Sequence, residues 1–232
     1  IHTLRWVESL NNNNFDILVF SFFKPNKESR RKYEKLGIKI VTPNLKSKIT
    51  DLRRPNMSKI KYIRSIFPLL KIIKNFKPDL IHAHYASSYG VIALLTRFKP
   101  FILSVWGSNI YDFPYKNFIN KFLLKLVLQS AAIVCSTSQA MKKIIENEYS
   151  RFDVKIVPFG IDTDFFKPAE KTHNTFTVGT IKSIEEHNGI ESIIDSADEI
   201  INKYKKNIDF LIVGEGSLEE AMKQKAINLN LK

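Results

Sequence analysis

The sequence predicts an α/β protein built on doubly wound parallel sheets and divided into two domains, on three observations. Short apolar runs alternate with helix-period segments along most of the chain, the order that parallel strands joined by crossover helices require. Polar and aromatic side chains gather where apolar runs stop, at His82-Ala83-His84-Tyr85 after Leu80-Ile81 and at Trp106-Gly107-Ser108-Asn109 after Phe101 to Val105. In an open parallel sheet the carboxyl ends of strands face a crevice outside the packed layers, so two such tips one βα unit apart sketch a site. Charge is also uneven: residues 1–171 hold 29 Lys+Arg against 13 Asp+Glu, net +16, whereas residues 172–232 hold 7 against 10, net −3.

At 232 residues, 44% hydrophobic and 25% charged, the chain has the composition of a protein with an ordinary core. It begins at Ile1 inside a helical pattern and reaches Lys232 in mid-helix, so it is expected to be a fragment. The lone Cys135 has no partner for an internal disulfide, which suits a reducing cytoplasm. The longest apolar window, Phe122 to Cys135, is broken by Lys125 and Gln129. It is shorter than the roughly 20 residues a spanning helix needs. A basic half of this kind attracts anionic lipid, nucleic acid or anionic substrates. Nucleic acid is disfavoured, because aromatic and basic residues are not interleaved in the stacking pattern. Two helices that pair an apolar face with lysines favour contact with an anionic membrane surface, against the alternative of merely solvated faces.

In chain order, Ile1 to Leu10 places Ile1, Leu4 and Val7 on one helical face, and the run Asn11 to Asn14 is a turn. Phe15 to Phe22 is expected as a strand, Lys27 to Leu36 as a charged helix closed by Gly37, and Ile38 to Val41 as a short strand. Pro43 to Pro55 is basic and without period. Met57 to Phe76 carries Ile60, Ile63, Ile66, Phe67, Leu70 and Ile73 at helical spacing, with a kink expected at Pro68. Tyr115 to Gln129 puts Phe118, Ile119, Phe122, Leu123 and Leu126 on one face, apart from Lys116, Lys121 and Lys125. Ala132 to Cys135 is a strand, Ser138 caps a helix to about Glu148, and Val154 to Val157 is a strand ending at Pro158-Phe159-Gly160. Asp162 to Thr175 changes composition as a linker would. Strand Phe176 to Val178 then ends at the tip Gly179 to Ser183, helix Ile190 to Lys203 follows, and strand Ile208 to Val213 meets Gly214-Glu215-Gly216-Ser217 before a helix from Leu218. Glycine at such turns lets backbone N–H groups approach a phosphate at a helix N-terminus. With no G-x-G-x-x-G present, Gly214-x-Gly216 is a weak motif.

The segments IHTLRWVESL, PDLIHAHYASSYG, VWGSN, PFGIDTDFFKP, GTIKSIEEHNGIESII and VGEGSL stand in one order along nearly the whole chain. Together they resemble the retaining, GT-B-type glycosyltransferases, group 1 (family 4-like), of bacterial polysaccharide and lipopolysaccharide biosynthesis. The resemblance implies a GT-B-type pair of Rossmann-like domains: residues 1–168 as an acceptor-binding domain nearly complete but for its first strand, and residues 169–232 as the truncated start of a nucleotide-sugar-binding domain. It implies transfer of a sugar from a nucleoside-diphosphate sugar to a glycan or lipid-linked acceptor, with retention, without metal or other cofactor, in a cytoplasmic protein peripheral to the membrane. The fragment alone is expected to be inactive. Where many members read H-G-x-D this chain reads Trp106-Gly107-Ser108-Asn109, so His82 or His84 is considered in place of that histidine.

On this resemblance the catalytic candidates are Lys182, His187 and His82. The acceptor-binding candidates are His84, Tyr85, Trp106 and Asn109, and the donor-binding candidates are Gly179, Lys182, His187, Gly214, Glu215 and Gly216. A cation at Lys182 suits the chemistry, because a departing diphosphate gains charge in the transition state and a preorganised cation stabilises it. Other readings stand beside these. The two histidines point to one face of a strand, where they are acceptor ligands, structural histidines or, lacking a third ligand, a poor metal pair. Asp162-Thr163-Asp164 imitates a metal motif but reads better as a turn cap. Trp106 is a sugar platform or an aromatic plug, Asn109 a hydroxyl acceptor or a helix cap, and Glu215 a nucleotide contact or a turn acid. A non-catalytic binding module for anionic lipid and a nucleotide-sugar epimerase are the competing functions.

Overall fold

The computed structural model describes residues 2–43, 63–168 and 175–231. The chain folds as two units, Ile1–Ile161 and Asp162–Lys232. The division lies earlier than the expected boundary after residue 168.

In the first unit, helix α1 (His2–Asn11) is followed by β1 (Leu18–Phe20), α2 (Lys27–Lys35) and β2 (Lys39–Val41). Asn26 starts α2 by accepting the Ser29 N–H at 2.8 Å, and Gly37 follows it at φ +69°, as a helix end requires. Strand β1 is shorter than its apolar run because only Leu18 to Phe20 find parallel partners, Lys39 to Val41. Leu4, Val7, Tyr33 and Ile38 close a small core over this pair.

The remainder of the unit runs α3 (Ile66–Phe76), β3 (Ile81–His84), a π-type turn at Ala86–Gly90 leading into α4 (Val91–Thr96), and β4 (Phe101–Val105). A short α5 (Ser108–Tyr111), α6 (Phe118–Ser130), β5 (Ile133–Ser136), α7 (Gln139–Tyr149) and β6 (Lys155–Ile156) complete it. Strands β3, β4, β5 and β6 are neighbours in that order, all parallel. Phe101, Leu103 and Val105 of β4 are buried against Val127, Leu128, Ile145 and Tyr149. The expected cap is present: Ser138 accepts the Met141 N–H at 3.2 Å.

Several expectations need correction. The histidine strand does not stop at Ile81; it continues through His84, because β4 offers hydrogen-bonding partners as far as Ser104. Pro68 occupies the first turn of α3, where its missing N–H is not needed, and the helical pattern breaks just ahead of it, at Arg64-Ser65 between helical Ile63 and Ile66. The first part of that expected helix and most of the basic stretch before it lie outside the described residues. Helix α6 turns to solvent the apolar face that periodicity finds and buries another. Leu124, Val127 and Leu128 face the sheet, while Phe118, Ile119, Phe122 and Leu126 are exposed. The helix is apolar on two arcs, so periodicity finds a face without saying which one the crossover geometry points inward.

The second unit holds β7 (Phe176–Ile181), α8 (Ile190–Asp198) continued by a π-type turn at Glu199–Lys203, β8 (Ile208–Val213) and α9 (Glu219–Asn228). β7 and β8 pair in parallel from Phe176–Ile208 to Ile181–Val213. Ile184, Ile190 and Ile194 are its buried core, with Ile212, Met222 and Leu229 packed against them. Among the described residues no helix is long and apolar enough to cross a membrane.

Gly90 sits where α4 begins between the sheet and α6. A Cβ there would lie 2.9 Å from Leu103 Cδ1 and 2.9 Å from Val127 Cγ1, both on fully buried side chains. Gly90→Ala is therefore expected to destabilise the first unit by about 1–3 kcal/mol through overpacking. Chemical denaturation checks this, and an unchanged midpoint would mean that the sheet and α6 are not pressed together here.

Candidate functional site

Parallel register fixes the first group of side chains. His84 lies opposite Ser104 across β3 and β4, and the period of two sends His82 and His84 to one face, as expected. Helix α1 lies over that face. Thr3 Oγ1 is 3.0 Å from His84 Nδ1, His84 Nε2 is 3.4 Å from His82 Nδ1, and His82 Nε2 is 2.8 Å from Ser104 Oγ. Trp6 closes the row edge-on, its ring centroid 5.0 Å from that of His82. All the ring nitrogens of His82 and His84 thus have partners within the chain. Burial pushes the His82 imidazolium down to about 4. It pushes that of His84 to about 3, with His82 and His2 adding to the effect. Both rings are neutral at neutral pH. His82, with both nitrogens engaged and so little basicity, is placed to orient its neighbours rather than to take a proton from an acceptor.

Beyond the histidines lies an aromatic surface. Trp106 is half-buried, its ring centroid 5.4 Å from His84, 6.2 Å from Tyr85, 5.3 Å from His2 and 5.6 Å from Phe159. His2 stacks on Phe159 with centroids 3.9 Å apart, and Arg5 donates to the Gly160 carbonyl at 2.9 Å, holding the Pro158-to-Ile161 segment against α1. Tyr85 has φ +87°, a conformation that non-glycine residues rarely adopt. Its hydroxyl meets that of Ser108. Strain at a strand tip, held by its surroundings, is a mark of functional positions.

Asn109 is not at this surface. It is fully buried; its Oδ1 accepts the Ser87 N–H at 3.1 Å and its Nδ2 donates to the Trp106 carbonyl at 2.6 Å. It joins the two tips and presents nothing to an acceptor. Asp162 behaves as a turn cap, its Oδ1 accepting the N–H groups of Asp164 and Phe165 at 3.0 Å each.

In the second unit, Gly179 stands within β7 opposite Leu211, not at a tip, because the strand runs on to Ile181. Lys182 follows directly and is exposed, as is His187 in the turn Glu186–Asn188. Among the described residues no carboxylate pairs with Lys182. Gly214 and Gly216 have a structural explanation. A Cβ on Gly214 would lie 1.8 Å from the Lys182 carbonyl oxygen, and one on Gly216 would lie 2.1 Å from that of Ile184. The two strand tips touch backbone to backbone, tied by the Lys182 N–H to the Val213 carbonyl at 3.0 Å and the Ile184 N–H to the Glu215 carbonyl at 3.0 Å. Ser217, just before α9, does not cap that helix with its side chain. Ser217 donates its hydroxyl to Glu185 at 2.6 Å and its N–H to the same carboxylate at 3.1 Å, so an internal anion already faces the entry to α9. Glu215 is exposed at this turn and engages it through its backbone.

Sequence reasoning missed Thr3, Trp6, Ser104, Phe159 and Glu185. Ser104 carried a signal, a lone hydroxyl in the apolar run FILSV. The others become neighbours only through tertiary packing.

Residues 1–138 match the family described as glycosyl transferase 4-like. An uncharacterized glycosyltransferase of Methanocaldococcus jannaschii is 27% identical over 92% of this chain and 60% of its own length. Among solved structures, the sucrose-phosphate synthase of Thermosynechococcus elongatus superposes with a TM-score of 0.70 at 12% identity, covering 97% of this chain and 60% of that one. A UDP-GlcNAc 2-epimerase from Neisseria meningitidis, bound to UDP-GlcNAc, does so with a TM-score of 0.61 at 17% identity, covering 98% and 65%. The chain thus spans about 60% of the length of that glycosyltransferase. At these identities the structural likenesses speak to the fold alone.

The neutral histidines make stability depend on pH. Their folded-state pKa values of about 4 and about 3 lie below the ordinary 6.5. As pH falls below 6.5 the unfolded chain takes up protons that the folded chain refuses, and the loss ends only near the folded values. The first unit is therefore expected to be at full stability above about pH 6.5 and to lose on the order of a few kcal/mol by about pH 4. Thermal unfolding across this range checks it. His84→Gln is expected to flatten the profile; an equally steep profile in that variant would place the acid sensitivity elsewhere.

Proposed function

The chain belongs to the glycosyl transferase 4-like family and has its GT-B-type α/β fold, and from that premise we propose that the full-length protein moves a sugar from a nucleoside-diphosphate sugar to a glycan or lipid-linked acceptor. The observation that carries the reading is the aromatic surface of Trp106, Tyr85, His84, His2 and Phe159 at the ends of β3 and β4. Faces of aromatic rings suit the apolar faces of a sugar, and the hydroxyls and ring nitrogens around them suit its hydroxyl groups.

The reaction we propose retains configuration and uses no metal. The bond from the anomeric carbon to the diphosphate oxygen breaks, the acceptor hydroxyl bonds to that carbon from the same face, and its proton passes to the departing phosphate. The group that must be stabilised is then the diphosphate. Lys182, exposed at a strand end with no carboxylate paired with it among the described residues, supplies a positive charge for that purpose, with His187 in the turn that follows. His82 contributes by holding His84, and Asn109 by holding the tip that carries Trp106. Gly214 and Gly216 serve the donor site by keeping the Lys182 tip in place, with Glu215 completing the facing tip and Gly179 lying within the strand that carries Lys182.

Incubating the full-length protein with a panel of nucleotide sugars, with products read by mass spectrometry, tests the function. Release of nucleoside diphosphate with a glycosylated product is expected. Conversion of the donor to an isomer without diphosphate release would instead assign an epimerase, and no turnover with any donor would leave a binding module. In the active protein, Lys182→Ala is expected to lower kcat by roughly 100-fold, about 3 kcal/mol, with a smaller change in KM. A variant within about threefold of the parent would remove the lysine from the chemistry.

A further inference from the structure

The turn from β8 into α9, Gly214-Glu215-Gly216-Ser217, has the composition of a phosphate cradle, yet the protein fills it with a charge of its own. Small residues at such a turn bring backbone N–H groups toward a helix entry, where an anion is favoured. The Leu218 N–H goes to the Ile184 carbonyl at 3.1 Å and the Glu219 N–H to the Gly216 carbonyl at 3.2 Å. The N–H and the hydroxyl of Ser217 both go to the carboxylate of Glu185, at 3.1 and 2.6 Å. Two donors on two oxygens of one anion is the contact that a phosphate would make in the same place. Glu185 is set there by its own backbone, its N–H donating to the Ser183 carbonyl and its carbonyl accepting the Asn188 N–H, at 3.0 Å each. The Asn188 side chain closes the same turn, donating to the carbonyl and the hydroxyl of Ser183 at 2.8 Å each.

We propose that Glu185 is a specificity-determining residue of the donor side: its carboxylate takes the place of a phosphate at Ser217 and so confines the donor's diphosphate to Lys182. The inference rests on the sugar-transfer reading for the role of Lys182, though not for the exclusion itself. The two places are adjacent, because the strand tips touch; a Cβ on Gly214 would lie 1.8 Å from the Lys182 carbonyl oxygen. A carboxylate fixed at the Ser217 N–H repels a second anion there. Glu219 and Glu220, in the first turn of α9, act in the same sense, although Lys223 pairs with both, at 2.7 and 3.1 Å. No carboxylate pairs with Lys182 among the described residues. Placement matters for the reaction, since a cation helps a departing diphosphate only where the charge develops. A diphosphate drawn instead to Ser217 would bind well and react poorly.

Titration calorimetry of the full-length protein with inorganic pyrophosphate, without nucleotide or sugar, tests the exclusion apart from the transfer reaction. Glu185→Ala, which vacates the Ser217 N–H and hydroxyl, is expected to bind pyrophosphate at least about tenfold more tightly than the parent. Glu185→Gln, which keeps the shape and loses the charge, is expected to gain by a smaller factor. Adding Lys182→Ala to Glu185→Ala is expected to leave most of the gain, because it arises at Ser217. In the sugar-transferring protein, Glu185→Gln is expected to lower kcat and KM by the same factor, so that kcat/KM stays unchanged, the signature of a donor held where it does not react. A residue that merely braces the turn has the opposite effect: its loss weakens pyrophosphate binding and lowers kcat/KM. Pyrophosphate affinity unchanged or weakened in both variants, or a gain that Lys182→Ala abolishes, would overturn the proposal. Absence of transfer by the parent would remove the transfer reading instead, and the calorimetry would still decide whether Glu185 excludes phosphate.

Discussion

The side-chain amide of Asn109 is the joint on which the acceptor-side surface depends. One end of it accepts the Ser87 N–H, from the segment after β3, and the other donates to the Trp106 carbonyl, at the end of β4. Because the group is fully buried, neither bond can be exchanged for water, and losing one would leave a backbone group or half an amide unsatisfied. The two tips therefore move together or not at all. Tyr85 and Trp106 project from those tips and keep their spacing because of this link. This is how a parallel sheet builds a precise surface from loops: the strands set the approximate distance, and one buried polar link removes the remaining freedom.

Much of this architecture was legible in the chain. The run Phe101 to Val105 became a strand with the same two ends, and Ser138 and Asn26 cap helices as their types suggest. Same-face placement of His82 and His84 followed from the strand period. What the residues did not disclose was what faces what. The two apolar arcs of α6 are equivalent in one dimension, and the choice between them comes from the path by which the chain returns to β5. The partners of the histidines come from α1 and β4, distant in sequence and joined only in the fold. Asn109 is the sharpest case, since a polar residue at a strand tip suggests a ligand contact until its burial is known.

The second unit teaches a related lesson about glycine. Gly214 and Gly216 occupy positions where a phosphate-binding turn is expected, yet each is required by a neighbouring backbone carbonyl that a side chain would strike. Close approach of two strand tips and close approach of a phosphate demand the same residue, so composition cannot separate them. Position can. The contacts of Glu185 with Ser217 show that the entry to α9 is already supplied with negative charge. The candidate donor chemistry of this unit then concentrates on Lys182 and His187, the side chains left facing solvent.

The row of contacts from Thr3 through His84 and His82 to Ser104 has a property that its distances alone do not state. Each neutral imidazole carries one N–H, so just two proton arrangements satisfy all three contacts: every bond points from α1 toward β4, or every bond points back. The two differ by the concerted reversal of a line of dipoles, with no change in the heavy atoms. In the first, Ser104 receives a proton bond from His82, and its own hydroxyl hydrogen is free to turn to the Cys135 sulfur beside it. In the second, that hydrogen is committed to the ring. The polarity of this row, from a threonine hydroxyl on the first turn of α1 to a serine hydroxyl in β4, is thus stored in protons alone.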